Sequence, residues 1–299
     1  MSPARSTARH AAAGLAMRPE CVPCALSAVL AAVRRVSADD WLASKVLAAV
    51  MADMPPVDPE RTPAEYSHEV LKMAIRAAGS ADPYVDERRA QNDAARNLLP
   101  LAEKALAGSA DRLETAVRLA LAGNCFDPIL PDFDPEGCLE RWLKERPARF
   151  DYADFRQAAK AAKSVLYILD NCGEAVFDKL LVRELAAPGR EIHVAVRHAP
   201  VLNDVTRAEA EELTFSEIGR IVDPGREMLG VLLPRSSADF RKLFNSVDMV
   251  VSKGQANCET LAGVERDIFF LLQVKCRVVA DHLKLKCGDA CLAYRRVGA

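Results

Sequence analysis

The chain has 299 residues, half of them hydrophobic, which is enough for a sizeable core. Forty Lys and Arg against 42 Asp and Glu leave a formal charge of −2, so no basic field points to a nucleic-acid partner. No apolar run approaches the roughly 18 residues of a membrane-spanning helix, and a cytoplasmic protein with no membrane partner is expected.

Residues 1–19 contain Arg5, Arg9 and Arg18, much Ala and Ser, and no acid. They read as a disordered tail. From residue 20 to 123 the pattern is helical throughout. Leu26, Val29, Leu30 and Val33 share a face of a first helix. Ser37 is the cap candidate for a second helix, Trp41 to Met51. Thr62-Pro63-Ala64-Glu65 predicts a capped third helix with Pro at its first position. Two helices separated by Pro100 are expected over 87–107, and another over 109–121. A polar linker covers 131–149, and Tyr152 to Lys163 is helical again.

Beyond residue 163 strands and helices alternate. Val165 to Leu169, Ile192 to Val196, Met249 to Ser252 and Ile268 to Val274 are short apolar runs with crossover helices between them. That alternation predicts an α/β fold with a mostly parallel sheet over 124–299, the all-α region packed on it. The segment after Leu283 reads as a short tail.

Three of these strands end in polar clusters: Asp170-Asn171, Asn203-Asp204, and Lys253 through Asn257. In an open parallel sheet such ends share one crevice. Asp170, Asn171 and Asp204 supply hard oxygens suited to Mg²⁺ or Mn²⁺. Lys253 supplies a positive charge, and Gly254 lets backbone amides approach an anion. Taken alone, Asp170-Asn171 reads equally as a turn that caps a helix, Lys253-Gly254 is most often a turn, and Asn203-Asp204 is most often a cap.

Nine cysteines, an odd count, argue for reduced thiols. Cys21 and Cys24 form a CxxC, whereas Cys287 and Cys291 are spaced CxxxC, so a four-thiolate zinc set is a minor alternative.

The blocks DNCGE at 170–174, PVLND at 200–204, SKGQANCETL at 252–261 and KCRVVA at 275–280 resemble signatures of the damage-control phosphatases, a family catalogued as domain of unknown function 89. The CxxC, the stretch from Asp82 to Asn92, and Gly123-Asn124 through Asp127 resemble its prokaryotic subfamily. The resemblance implies a Rossmann-like sheet and hydrolysis of phosphate monoesters of small metabolites, such as sugar phosphates or phosphopantetheine-type compounds. It implies Mg²⁺, Mn²⁺, Co²⁺ or Ni²⁺ on Asp170, Asn171 and Asp204. It further implies a catalytic role for Asp170, Asp204 and Asn203, a phosphate contact for Lys253, and substrate-side roles for Gly254, Asn257, Asn124 and Glu174. Cys21, Cys24 and Cys276 are expected close together, as a structural metal site or as buried thiols. The alternative to turnover is a metal-dependent ligand-binding regulator. A methyltransferase would need a Gly-rich loop after the first strand, and DNCGE has a single Gly.

Overall fold

The computed structural model describes residues 14–123 and 135–298. The chain opens with α1 (Cys21–Val36), α2 (Asp40–Asp53), α3 (Pro63–Ala77), α4 (Val85–Ala107) and α5 (Arg112–Ala122). The Thr62 hydroxyl and Glu65 carboxylate form the expected capping box on α3. The cap of α2 is Asp39, which accepts from the Trp41 N–H, while Ser37 accepts from the Asp39 N–H. The break expected at Pro100 is absent. Pro100 lies inside α4 on its exposed side, and Ala95, Leu98, Ala102 and Leu106 hold the helix to the core on both sides of it. Packing here outweighs the one backbone hydrogen bond that proline removes.

The remaining helices are α6 (Pro135–Lys144), α7 (Tyr152–Ala161), α8 (Glu174–Leu185), α9 (Arg207–Glu212), α10 (Ala238–Ser246), α11 (Gln255–Leu261) and α12 (Arg277–Leu283). The strands are β1 (Arg149–Phe150), β2 (Ser164–Ile168), β3 (Glu191–Ala195), β4 (Arg220–Val222), β5 (Met249–Lys253), β6 (Ile268–Gln273) and β7 (Ala290–Arg295). Among the described residues they form one seven-stranded sheet in the order β1-β7-β6-β5-β2-β3-β4. All neighbouring pairs are parallel except β6–β7. The fold is thus α/β with a mostly parallel sheet, as the alternation predicts. The expected C-terminal tail is instead β7, paired with β6 from Ile268↔Arg295 to Gln273↔Ala290. The three-residue β4 was also not expected as a strand, being too short to carry a periodic signal.

The core strands are apolar almost without interruption because both faces of the sheet are covered. Val165, Tyr167, Val194, Val251 and Leu271 face a cluster with α4, α5 and α8. Leu166, Ile168, Val250 and Phe270 face another cluster with α10, α11 and α12. The N-terminal helices therefore divide. Helices α4 and α5 are a layer of the sheet's own core, whereas α1 to α3 enclose a separate core around Ala25, Val29, Val46, Tyr66 and Val70. Val278 of α12 joins that smaller core. Residues 14–19, assigned to the tail, are packed. The Leu15 N–H donates to the Glu259 carbonyl, the Met17 N–H donates to the Arg61 carbonyl, and Met17 is buried. No helix among the described residues is long and apolar enough to cross a membrane.

Candidate active site

After β2 the chain returns through α8 to β3 on one side, whereas β5 joins β2 on the other. This reversal of strand order opens a crevice beyond the carboxyl ends of β2 and β5. Asp170 and Asn171 leave β2 there. The loop after β3 comes back to meet them: Asn171 and Asp204 form an isolated antiparallel bridge. The Val205 N–H donates to the Asp170 carbonyl at 2.8 Å, and the Cys172 N–H to the Asn203 carbonyl at 2.8 Å. Asp170, Asn171, Asn203 and Asp204 thereby line one cavity of about 190 Å³. The other wall comes from Cys21, Cys24 and Ala28 of α1 and Pro63, Ala64, Ser67 and Leu71 of α3. Gln255, Ala256 and Glu259 of α11 and the segment Lys275 to Val278 complete it. A more open cleft of about 810 Å³ lies by α5 and α7, but it gathers four cations and one acid, Glu114, and no set of hard oxygen ligands.

Gly254 explains how closely β5 approaches β2. Its φ is +79°, and a Cβ built there would stand 1.8 Å from Asp170 Oδ2. Glycine is required on both counts. Its N–H donates to the Leu271 carbonyl at 2.9 Å, so it extends the strand and does not face an anion. The role expected for Gly254 is corrected accordingly: it makes room for a carboxylate.

Lys253 also departs from expectation. Residues 249, 251 and 253 of β5 point to the α5/α8 face of the sheet. The fully buried ammonium sits 2.9 Å from Glu174 Oε2 and 2.8 Å from Asp178 Oδ1, and donates to the Ala120 carbonyl at 2.5 Å. Burial acts to lower the Lys253 pKa, but the Asp178 and Glu174 carboxylates overcome it and raise the pKa above the usual lysine value. Burial pushes Asp178 up to about 7 against the pull of Lys253, and Asp178 also accepts from the Tyr167 hydroxyl at 2.8 Å. Lys253 and Glu174 thus form an ion cluster behind the cavity, off its lining. Glu174 reaches the site indirectly, accepting from Asn171 Nδ2 at 3.2 Å. Asn257 is likewise behind the wall, donating to the Leu169 and Lys253 carbonyls. Asn124 and Asp127 lie outside the described residues.

Arg197, at the end of β3, was not anticipated. It is 3% exposed. Its guanidinium donates through Nη2 to Asp170 Oδ1 at 2.9 Å, through Nε to Asp204 Oδ2, and through Nη1 to Asn257 Oδ1 at 3.0 Å. A planar fork fixes both carboxylates in one orientation. Burial raises Asp170 well above the usual carboxylate range; Asp204 and Glu174 add to this, and Arg197 and Lys253 oppose it. Asp204 is raised by burial and held back by Arg197. The only sequence signal for Arg197 was its place directly after a buried strand.

Helix α4 anchors the same loops. Asn92 Oδ1 accepts from the Gly173 N–H at 2.8 Å, Gln91 Oε1 accepts from Asn203 Nδ2 at 2.9 Å, and Arg88 donates to the Leu202 carbonyl at 3.0 Å. Arg88 and Gln91 lie in the stretch that resembles the family from Asp82 to Asn92, but nothing in a solvated-looking helix marks one polar residue there from the next.

Two buried carboxylates and an amide oxygen on one cavity floor fit a hard divalent cation, whose charge would reverse the burial penalty on both acids. Cys21, Cys24 and Cys276 do line one cavity, with Cys276 Sγ accepting from Gln255 Nε2 at 3.4 Å. Burial raises all three thiol pKa values. Among the described residues no group of three or more His, Cys, Asp or Glu is arranged to hold a metal, and Cys291 lies inside the sheet's core. The four-thiolate alternative is therefore not assembled.

The model of the damage-control phosphatase ARMT1-like domain matches residues 17–291. A damage-control phosphatase of Pyrococcus horikoshii is 32% identical over 215 residues, 70% of this chain and 74% of that one. A damage-control phosphatase of Archaeoglobus fulgidus is 28% identical over 288 residues, covering 91% and 96% of the two chains. The crystal structure of a DUF89-family protein from Pyrococcus horikoshii superposes with a TM-score of 0.84 at 26% identity, over 93% of this chain and 98% of that one. With most of its length matched in sequence and in fold, the chain belongs to the damage-control phosphatase family and is a phosphatase, a hydrolase of phosphate esters.

Proposed function

We propose that the chain hydrolyses phosphate monoesters of small metabolites, sugar phosphates or phosphopantetheine-type compounds being the classes in view, at the floor formed by Asp170, Asn171, Asn203 and Asp204. The observation that carries this is the convergence of those four residues on one cavity at the reversal of strand order. Asp170, Asn171 and Asp204 would hold Mg²⁺, Mn²⁺, Co²⁺ or Ni²⁺, which when bound supplies Lewis acidity toward the phosphoryl oxygens.

The protein's own groups do the rest. Arg197 and Gly254 set the Asp170 carboxylate at one position, and Arg197 sets that of Asp204. Asn203, held by Gln91, presents its amide to the cavity. Lys275 and Arg277 line the cavity and Lys253 does not, so Lys275 would be the lysine that meets the phosphate. Burial lowers the Lys275 pKa to about 7, and a phosphate dianion would favour its charged form. Two first steps share this geometry. Either Asp170 attacks phosphorus and water later cleaves the acyl phosphate, or water attacks directly and Asp170 or Asp204 takes its proton. In both, the P–O bond to the alcohol breaks, and the alcohol leaves with a proton.

The test is phosphate release from a generic aryl phosphate with Mn²⁺ or Co²⁺. The wild type should turn over and Asp170→Ala should not. Full metal-dependent activity in Asp170→Ala would sink this assignment. We place the protein in the cytoplasm, a reading supported by its odd number of cysteines, of which none of the described ones is paired in a disulfide.

A further inference from the structure

Leu202 is one of three non-glycine residues with positive φ among the described residues, at +50°. Leucine is disfavoured there, because its Cβ crowds the following carbonyl, and glycine or asparagine would relieve the conflict. The conformation is held from outside by Arg88, which donates to the Leu202 carbonyl at 3.0 Å. Such residues persist where the surroundings impose them, and they gather at functional sites.

Leu202 lines the cavity beside Asn203 and Asp204. It also joins two small apolar clusters: Leu71, Ala32 and Tyr84 on one side, and Ala64, Val201 and Leu229 on the other. Leu71, Leu202, Leu229, Ala64 and Ala256 thus form a hydrocarbon wall continuous with the oxygen-lined floor. An ester whose phosphoryl group sits at the floor lays its alcohol portion against that wall.

We propose that Leu202 is a specificity-determining residue, and that with Leu71 and Leu229 it selects phosphate monoesters whose alcohol is largely hydrocarbon over those of polyols. This rests on the phosphatase reading of the same site and names the substrate class within it. Hydroxyl groups set against Leu71, Leu202 and Leu229 would lose water without gaining partners there, whereas methylenes would leave water favourably.

The experiment compares n-butyl phosphate with erythritol 4-phosphate, which have the same carbon count, in saturating Mn²⁺. Phosphate release and calorimetric affinity are measured on the same samples. The wild type should favour butyl phosphate by about ten-fold or more in kcat/KM and in affinity. Leu202→Asn tolerates the left-handed backbone and removes the apolar contact; its thermal midpoint verifies the fold. It should bring the two substrates to within about two-fold, chiefly through KM for butyl phosphate. Equal or reversed preference in the wild type overturns the proposal. So does a preference that survives Leu202→Asn, or a loss that falls on both substrates alike, as for a residue that merely packs the core. A binding preference without phosphate release supports the wall and sinks the hydrolytic reading instead.

Discussion

At the scale of single residues, the site depends on two contacts that tolerate almost no change. Gly254 lies against Asp170, and Arg197 bonds Asp170, Asp204 and Asn257 at once. Gly254→Ala must move Asp170 and accept an unfavourable φ. A displacement near 1 Å costs about 100-fold in rate, and the strain costs about 1–3 kcal/mol. Both are measurable, by phosphate release and by denaturant unfolding. Arg197→Lys keeps the charge and loses the fork. Metal affinity read by calorimetry should fall about 10–100-fold. Unchanged affinity would show that Arg197 balances charge without orienting ligands. Asp170, Asn171 and Asp204 were legible from sequence because each follows or faces the end of a strand. Arg197 stands at the same kind of place, but a lone arginine after a strand has no local feature that separates it from a solvated one.

At the scale of elements, strand alternation decides what the polar residues do. Lys253 belongs to the odd-numbered face of β5, so its ammonium meets Glu174 and Asp178 of α8 and the end of α5. Lys253→Met leaves two buried carboxylates without a cation and should cost roughly 3–5 kcal/mol of stability. A stable but inactive Lys253→Met would return Lys253 to the phosphate. On α3, burial lowers the His68 pKa from 6.5 to about 4. The unfolded chain therefore binds a proton near pH 6.5 that the native state refuses until about pH 4. Stability from this residue is complete above pH 6.5 and is lost as pH falls through that window, by up to about 3 kcal/mol. Urea midpoints at pH 7 and pH 5 should converge when His68→Leu is compared with the wild type. Equal pH slopes in the two proteins would contradict it.

At the scale of the whole molecule, the cavity exists because α1 and α3 close over the carboxyl ends of β2 and β5, with α4 tying the loops from the opposite face. Binding of a cation by the native state alone must stabilise the entire fold. At a metal concentration about 100 times Kd, the gain is about 2.7 kcal/mol. Mn²⁺ should accordingly raise the thermal midpoint of the wild type and leave that of Asp204→Asn nearly unmoved. Equal shifts in the two would place the cation elsewhere.

The helical first part of the chain, the alternation of strands and helices after residue 163, the parallel character of the sheet and the convergence of three strand ends were legible in the sequence alone. They follow from local periodicity, strand length and turn chemistry. The return strand β7 and the unbroken α4 were decided by tertiary packing, against weak or contrary local signals. The division of labour among the polar residues was tertiary as well. Whether Lys253 meets a phosphate or a buried carboxylate, and whether Arg197 meets solvent or Asp170, depends on which side of the sheet a side chain leaves and what is packed there. Leu202 is the sharpest instance. Its sequence context reads as a turn, and only the surrounding helices hold it in a conformation leucine avoids.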